Sequence, residues 1–168
     1  GWVARPFHLE ERLHFTTWAT DCALRFLQRR DPTVPFFLKV SFIHPHQPCT
    51  PPRDYWDRYM DLKLPDPYVG DWARVTDAPL RGQSAFDSWR WWPSPEQIRQ
   101  FRAGYYGCIN HIDDQIARIL HLLPRNTLIL FTADHGEMAG DHQWLRKRNA
   151  WEGSARIPFL VHGPAPLG

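Results

Sequence analysis

Thr127-Leu128-Ile129-Leu130-Phe131-Thr132-Ala133-Asp134-His135-Gly136-Glu137-Met138 is the stretch that decides the fold. A run of apolar, β-forming side chains stops abruptly at Asp-His-Gly. A buried strand of an α/β sheet ends in this way when it carries polar side chains to the carboxyl edge, where such folds keep their active sites. A carboxylate suits a divalent cation, and imidazole suits the softer ones. Asp134 and His135 are therefore candidate metal ligands, leaving the strand end in one direction. The plainer alternative is that Asp134 caps the turn into Gly136 and His135 lies on the surface.

On the C-terminal side, a polar segment from Gly140 to Lys147 leads into Trp151-Glu152-Gly153-Ser154-Ala155-Arg156, and Ile157 to His162 reads as another strand. On the N-terminal side, Ser94-Pro95-Glu96-Gln97 carries a helix start: an N-cap Ser, a Pro at the first helical position and a Gln where a capping box needs it. Ile98, Phe101, Tyr105, Ile109, Ile112, Ile116, Leu120 and Leu123 follow at helical spacing until Pro124. Further back, Pro35-Phe36-Phe37-Leu38-Lys39-Val40-Ser41-Phe42-Ile43 reads as a buried strand ending at His44-Pro45-His46. The spacing of Phe15, Ala19, Cys22, Phe26 and Leu27 predicts a helix over 16–30, and Pro51-Pro52 opens a short one reaching Met60. The order of helices and apolar runs predicts an α/β fold with a mostly parallel sheet flanked by helices. Residues 61–93, rich in Pro, Gly and Trp, hold no period. They are either a surface excursion pinned by aromatic packing or a substrate-facing loop.

Composition narrows the function classes. The 168 residues suffice for a domain with a core, and 43% hydrophobic and 14% aromatic content exclude a disordered chain. A net charge of +2, evenly spread, gives no electrostatic footprint for nucleic acid. No apolar run reaches the roughly 20 residues of a membrane helix. Cys22, Cys49 and Cys108 are odd in number and far apart, so no disulfide framework is expected. The opening Gly1-Trp2-Val3-Ala4-Arg5 has neither an initiator Met nor a signal peptide, and a piece of a longer protein is expected. Neither compartment nor oligomeric state is written in a readable motif.

Two further groups can carry chemistry. His44 and His46 follow the other predicted strand, and continued alternation would place them on one face, where a His can hold an anionic oxygen or protonate a leaving group. Turn histidines are the commoner reading of such a pair. Lys147 lies between Arg146 and Arg148, and its point charge suits a sulfate or phosphate oxygen, although charge runs are more often solvated faces.

Asp134-His135-Gly136-Glu137-Met138, then Gly140-Asp141-His142, Lys147 and Trp151 to Pro158 resemble the signature block of the sulfatases, which belong to the alkaline phosphatase superfamily. Pro35 to Leu38 with Pro45-His46-Gln47-Pro48 and Pro51-Pro52 resembles the family's upstream block, and Tyr105-Tyr106 with Asp113-Asp114-Gln115-Ile116 the helix between. The resemblance spans nearly the whole chain, with 61–93 as the variable, substrate-side part. It implies a partial alkaline-phosphatase-like sandwich, with residues 1–168 forming an incomplete catalytic domain. It implies that Asp134 and His135 bind a divalent metal, that His46 contacts the sulfate and its ester oxygen, and that Lys147 bridges sulfate and nucleophile. His44 is carried as a further substrate contact. Family habit favours calcium, while an imidazole ligand suits manganese or zinc better.

The family's nucleophile is a formylglycine made from the Cys of a Cys-x-Pro-Ser-Arg motif, and an upstream Asp pair completes its metal site. Neither is present here. Cys49-Thr50-Pro51-Pro52-Arg53 fits the motif loosely, with Pro52 in place of Ser, and lies too close to His46 for one short turn to supply both groups. The resemblance thus implies a sulfuric ester hydrolase acting on a small-molecule or saccharide sulfate, with this chain inactive alone. The alternatives are a phosphonate monoester or phosphodiester hydrolase on the same scaffold, and a non-catalytic homologue that binds anionic sugars.

Overall fold

The computed structural model describes residues 4–75 and 90–164. The chain divides into two compact units, one made of Gly1–Leu64 and Gln100–Arg125, the other of Pro65–Arg99 and Asn126–Gly168.

In the first unit, helix α1 (Phe15–Arg29) begins where His14 caps it: the ring Nδ1 accepts the Thr16 N–H at 3.1 Å. Helix α2 (Arg53–Met60) starts directly after Pro52, its N-cap. The long helix α4 (Pro95–Leu120) runs through this unit from Gln100 onward. Its buried stripe is Phe101, Gly104, Cys108, His111, Ile112, Gln115 and Ile119. This stripe departs from the expected apolar face, because Ile109 and Leu120 are exposed while His111 and Gln115 face inward. The reason lies across the core, where His14 meets His111 and in turn packs on His44, so that polar rings replace an aliphatic neighbour. Similarly, α1 buries Thr16, Thr17, Thr20 and Ala23, and leaves Trp18 and Phe26 in solvent. Gly107 allows the close approach of α2 to α4: a Cβ there would stand 2.9 Å from Pro51 Cγ and 3.1 Å from the Tyr55 carbonyl oxygen.

In the second unit, Ser94 and Gln97 form the expected capping box at the start of α4. Gln97 N–H donates to Ser94 Oγ at 3.2 Å, and Ser94 N–H donates to Gln97 Oε1 at 2.9 Å. Short helices α3 (Asp71–Val75) and α5 (Glu152–Ala155) flank two strands, β1 (Ile129–Thr132) and β2 (Phe159–His162).

The mostly parallel sheet is not found among the described residues. β1 and β2 pair antiparallel, with Ile129 opposite His162 and Thr132 opposite Phe159. Residues 133–158 fold back on themselves as a compact loop, so the chain returns beside β1 in the reverse direction, as antiparallel neighbours permit. The expected strand at 35–43 forms no ladder. It keeps a strand's alternation nonetheless: Phe36, Leu38, Val40 and Phe42 are half-buried, whereas Phe37, Lys39, Ser41 and Ile43 are exposed.

Candidate active site

β1 ends at Thr132, and Asp134 and His135 follow it immediately, as the sequence predicts. The His135 ring is fixed by a 2.7 Å bond to the Gly136 carbonyl. A carbonyl only accepts, so Nδ1 is the donor in this bond. The other ring nitrogen, Nε2, lies 3.7 Å from Asp134 Oδ2. Two donors on one divalent cation are separated by about 3–3.7 Å at ordinary bond lengths. The pair therefore fits two neighbouring ligand positions of a single ion. Gly136 is what allows the turn behind it, since a Cβ would stand 2.2 Å from the Gly153 carbonyl oxygen. Gly136 N–H also donates to the Ser154 carbonyl at 2.8 Å. No group of three or more His, Cys, Asp or Glu side chains able to hold a metal occurs among the described residues.

Lys147 closes a loop of unusual backbone. Ala139, His142, Gln143, Arg146 and Arg148 all have positive φ, between 47° and 74°, as does Gly140 at 95°. For a residue with a Cβ this costs about 1–3 kcal/mol, so surrounding contacts must hold the conformation. They do. Met138 N–H donates to the Arg146 carbonyl at 2.9 Å, and Gly140 N–H to the Trp144 carbonyl at 2.8 Å. The Glu137 carboxylate accepts from Ala139 N–H at 3.1 Å and also from Arg146 N–H. Met138, Trp144 and Leu145 are buried and anchor the loop from within.

The described part of 61–93 is strapped to this loop. Tyr68 N–H donates to Asp141 Oδ1 at 3.0 Å, Gly70 N–H to His142 Nδ1 at 3.3 Å, and His142 N–H to the Tyr68 carbonyl at 2.7 Å. Trp72 then stacks on Trp151, ring centroids 5.2 Å apart, with His142 against both. The described stretch around Tyr68–Trp72 is thus held by backbone bonds and ring packing, and it carries an exposed aromatic surface. Residues 76–89 lie outside the described residues.

His44 and His46 belong to the first unit. His46 is half-buried, and its Nδ1–H donates to the Gln47 carbonyl at 2.9 Å. His44 is 4% exposed, and its Nε2–H donates to the Pro48 carbonyl at 3.1 Å. Its ring packs 5.0 Å from His14 and 4.4 Å from Phe15. The expectation that the two rings share a face fails here, because the chain turns at Pro45 and one ring enters the core. Burial, then the neighbouring His14, pushes the His44 pKa down to about 4. Burial likewise takes His111 down to about 3 and lowers His14. Cys49 is fully buried, its Sγ 3.6 Å from the Pro45 carbonyl, and is thus sealed away from any substrate.

Sequence reasoning missed Glu137, the His142–Trp72–Trp151 group, and the His14–His44–His111 cluster. Glu137 accepts from the backbone amides of Ala139 and Arg146, which leave no side-chain signature. His14 and His111 stand 97 positions apart and meet only through the fold.

Residues 7–166 match the sulfatase family profile. An arylsulfatase of Clostridium perfringens is 46% identical over 99% of this chain and 36% of its own length. A choline-sulfatase of Rhizobium meliloti is 35% identical over 77% of this chain and 27% of its own. Among solved structures, a phosphonate monoester hydrolase of Agrobacterium radiobacter superposes with a TM-score of 0.77 at 28% identity, covering 95% of this chain and 35% of that one. The chain spans about a third of the length of the relatives it matches.

Proposed function

The chain belongs to the sulfatase family, and from that premise we propose that it supplies part of the active site of a metal-dependent hydrolase of sulfate monoesters. The observation that carries this reading is the placement of the Asp134 carboxylate and Nε2 of His135 3.7 Å apart at the end of β1.

In this reading Asp134 and His135 hold a divalent cation, which when bound polarises the sulfuryl oxygens. The imidazole in the pair favours manganese or zinc over calcium. Lys147 places an ammonium on the sulfate and offsets the negative charge that builds up there. His46 approaches the ester oxygen through Nε2. In its protonated form it donates that proton to the departing alkoxide, while Nδ1–H stays on the Gln47 carbonyl and holds the ring. His44 supports this turn from inside the unit and is no longer assigned a substrate contact. The nucleophile, a formylglycine in this family, is assigned to sequence outside these 168 residues, since the loosely matching Cys49 is sealed in the core. The substrate is a small-molecule or saccharide sulfate.

A specific likeness favours a second reading, phosphonate monoester or phosphodiester hydrolysis, because the superposable hydrolase shares the scaffold at 28% identity. The full-length protein should be assayed in parallel on an aryl sulfate and an aryl phosphonate ester. Turnover of the sulfate, lowered about 10²-fold or more by Lys147→Ala and by His46→Ala, is expected. Turnover of the phosphonate alone would replace the first reading with the second. Residues 1–168 by themselves are expected to turn over neither ester.

A further inference from the structure

The loop from Met138 to Arg148 must be held in a backbone conformation that its own residues disfavour, and Lys147 leaves from its end. One side chain ties both ends of that loop. The Glu137 carboxylate oxygen Oε1 accepts the N–H of Ala139, where the loop departs, and the N–H of Arg146, where it returns. Arg146 directly precedes Lys147. On the other side, His135 and Asp134 precede Glu137 by two and three residues on the same continuous chain. A single oxygen thus joins the segment bearing the candidate metal ligands to the segment bearing the candidate sulfate-binding cation. Flanking amides already serve other acceptors: Met138 N–H goes to the Arg146 carbonyl at 2.9 Å and Asp141 N–H to the Met138 carbonyl at 2.8 Å. The Ala139 and Arg146 amides would lose this shared acceptor if the carboxylate were removed, at the point where left-handed residues crowd.

We propose that Glu137 is the positioning residue for Lys147: its carboxylate clasps the loop at Ala139 and Arg146 and thereby fixes the ammonium relative to Asp134 and His135. Glu137 touches no substrate in this account. The inference rests on the sulfate-ester reading only for its activity readout.

The test uses the full-length protein with Glu137→Ala, Glu137→Gln, Lys147→Ala and the Glu137→Ala/Lys147→Ala double variant. A misplaced ammonium costs kcat, and Glu137→Ala should lower kcat on an aryl sulfate about 10²-fold. Glu137→Gln, which keeps an acceptor oxygen in place, should recover most of that loss. In the Lys147→Ala background the same Glu137→Ala change should cost less than about 3-fold, because the group it positions is gone. Losses that multiply in the double variant overturn the proposal, as does a Glu137→Gln variant no better than Glu137→Ala. If Glu137→Ala fails to fold, Glu137→Asp, whose shorter side chain cannot reach both amides, takes its place in the cycle against Lys147→Ala.

Native-state cleavage by a lysine-specific protease gives a second reading that needs no turnover. Cleavage after Lys147 should quicken about 10-fold in Glu137→Ala, while cleavage after Lys39 and Lys63 stays as in the wild type. Unchanged cleavage at Lys147 overturns the clasp. A wild-type protein that hydrolyses no sulfate ester sinks the functional reading alone, since faster cleavage would still support the clasp.

Discussion

Three imidazoles in the core of the first unit make its stability depend on pH. His14, His44 and His111 are buried, with His14 4.8 Å from His111 and 5.0 Å from His44. The Nδ1 atoms of His44 and His111 are buried with no hydrogen-bond partner among the described residues. Burial holds the folded pKa values below the ordinary 6.5, to about 4 for His44 and about 3 for His111. As pH falls through about 6.5, the unfolded chain takes up protons that the folded chain refuses. Stability is therefore full above that value, is lost as pH falls, and levels off only below about pH 3–4. Glu11, whose carboxylate lies 3.3 Å from His111, has its own pKa raised by burial, so its protonation opposes this trend at the acid end of the range. The melting temperature should fall between about pH 7 and pH 5, and His111→Gln should remove about one proton from the slope. A melting temperature constant over that range would refute the cluster's neutrality. At this scale the sequence is legible where side chains act for themselves. Asp134 and His135 stand out by type and place, Lys147 only through the family resemblance, whereas Glu137 acts on amides that only the fold brings near.

Helices were readable where their signals are local. The start of α4 is written in Ser94-Pro95-Glu96-Gln97, and the reciprocal bonds at 3.2 Å and 2.9 Å match that reading. Ser94→Ala should cost about 1 kcal/mol, read as a lower urea midpoint at unchanged m-value. An unchanged midpoint would mean that the cap contributes nothing to stability. The direction of β2 was not legible. It depends on left-handed turns at Ala139, His142, Gln143, Arg146 and Arg148, and Ala, Gln and Arg, unlike Gly or Asn, give no hint of positive φ. The inward face of α4 was only half legible. Its apolar spacing predicts Ile109 and Leu120 inside, but His111 is drawn in by partners from His14 and Thr17, the latter 3.3 Å away.

For the molecule as a whole, the α/β class followed from the sequence, while sheet pairing did not, since pairing needs a neighbour that no local pattern names. Each unit leaves apolar surface open. Phe37 is 92% exposed, Phe159 66% and Leu160 63%, and β1 and β2 show side chains on both faces of a two-stranded ribbon. Surface of this kind marks contact sites or association hazards. The isolated chain should bind a hydrophobic dye strongly and sediment faster than a monomer, and a dye-silent monomer would contradict this. The segment 35–43 gives a sharper gauge. Its side chains already alternate as a ladder would require, yet no amide there is bonded to a neighbouring strand among the described residues. Those amides should swap hydrogen for deuterium within seconds in the chain alone. In any longer protein that lays a strand alongside them they should slow by orders of magnitude, so the unclaimed edge doubles as a built-in clock for assembly of the sheet.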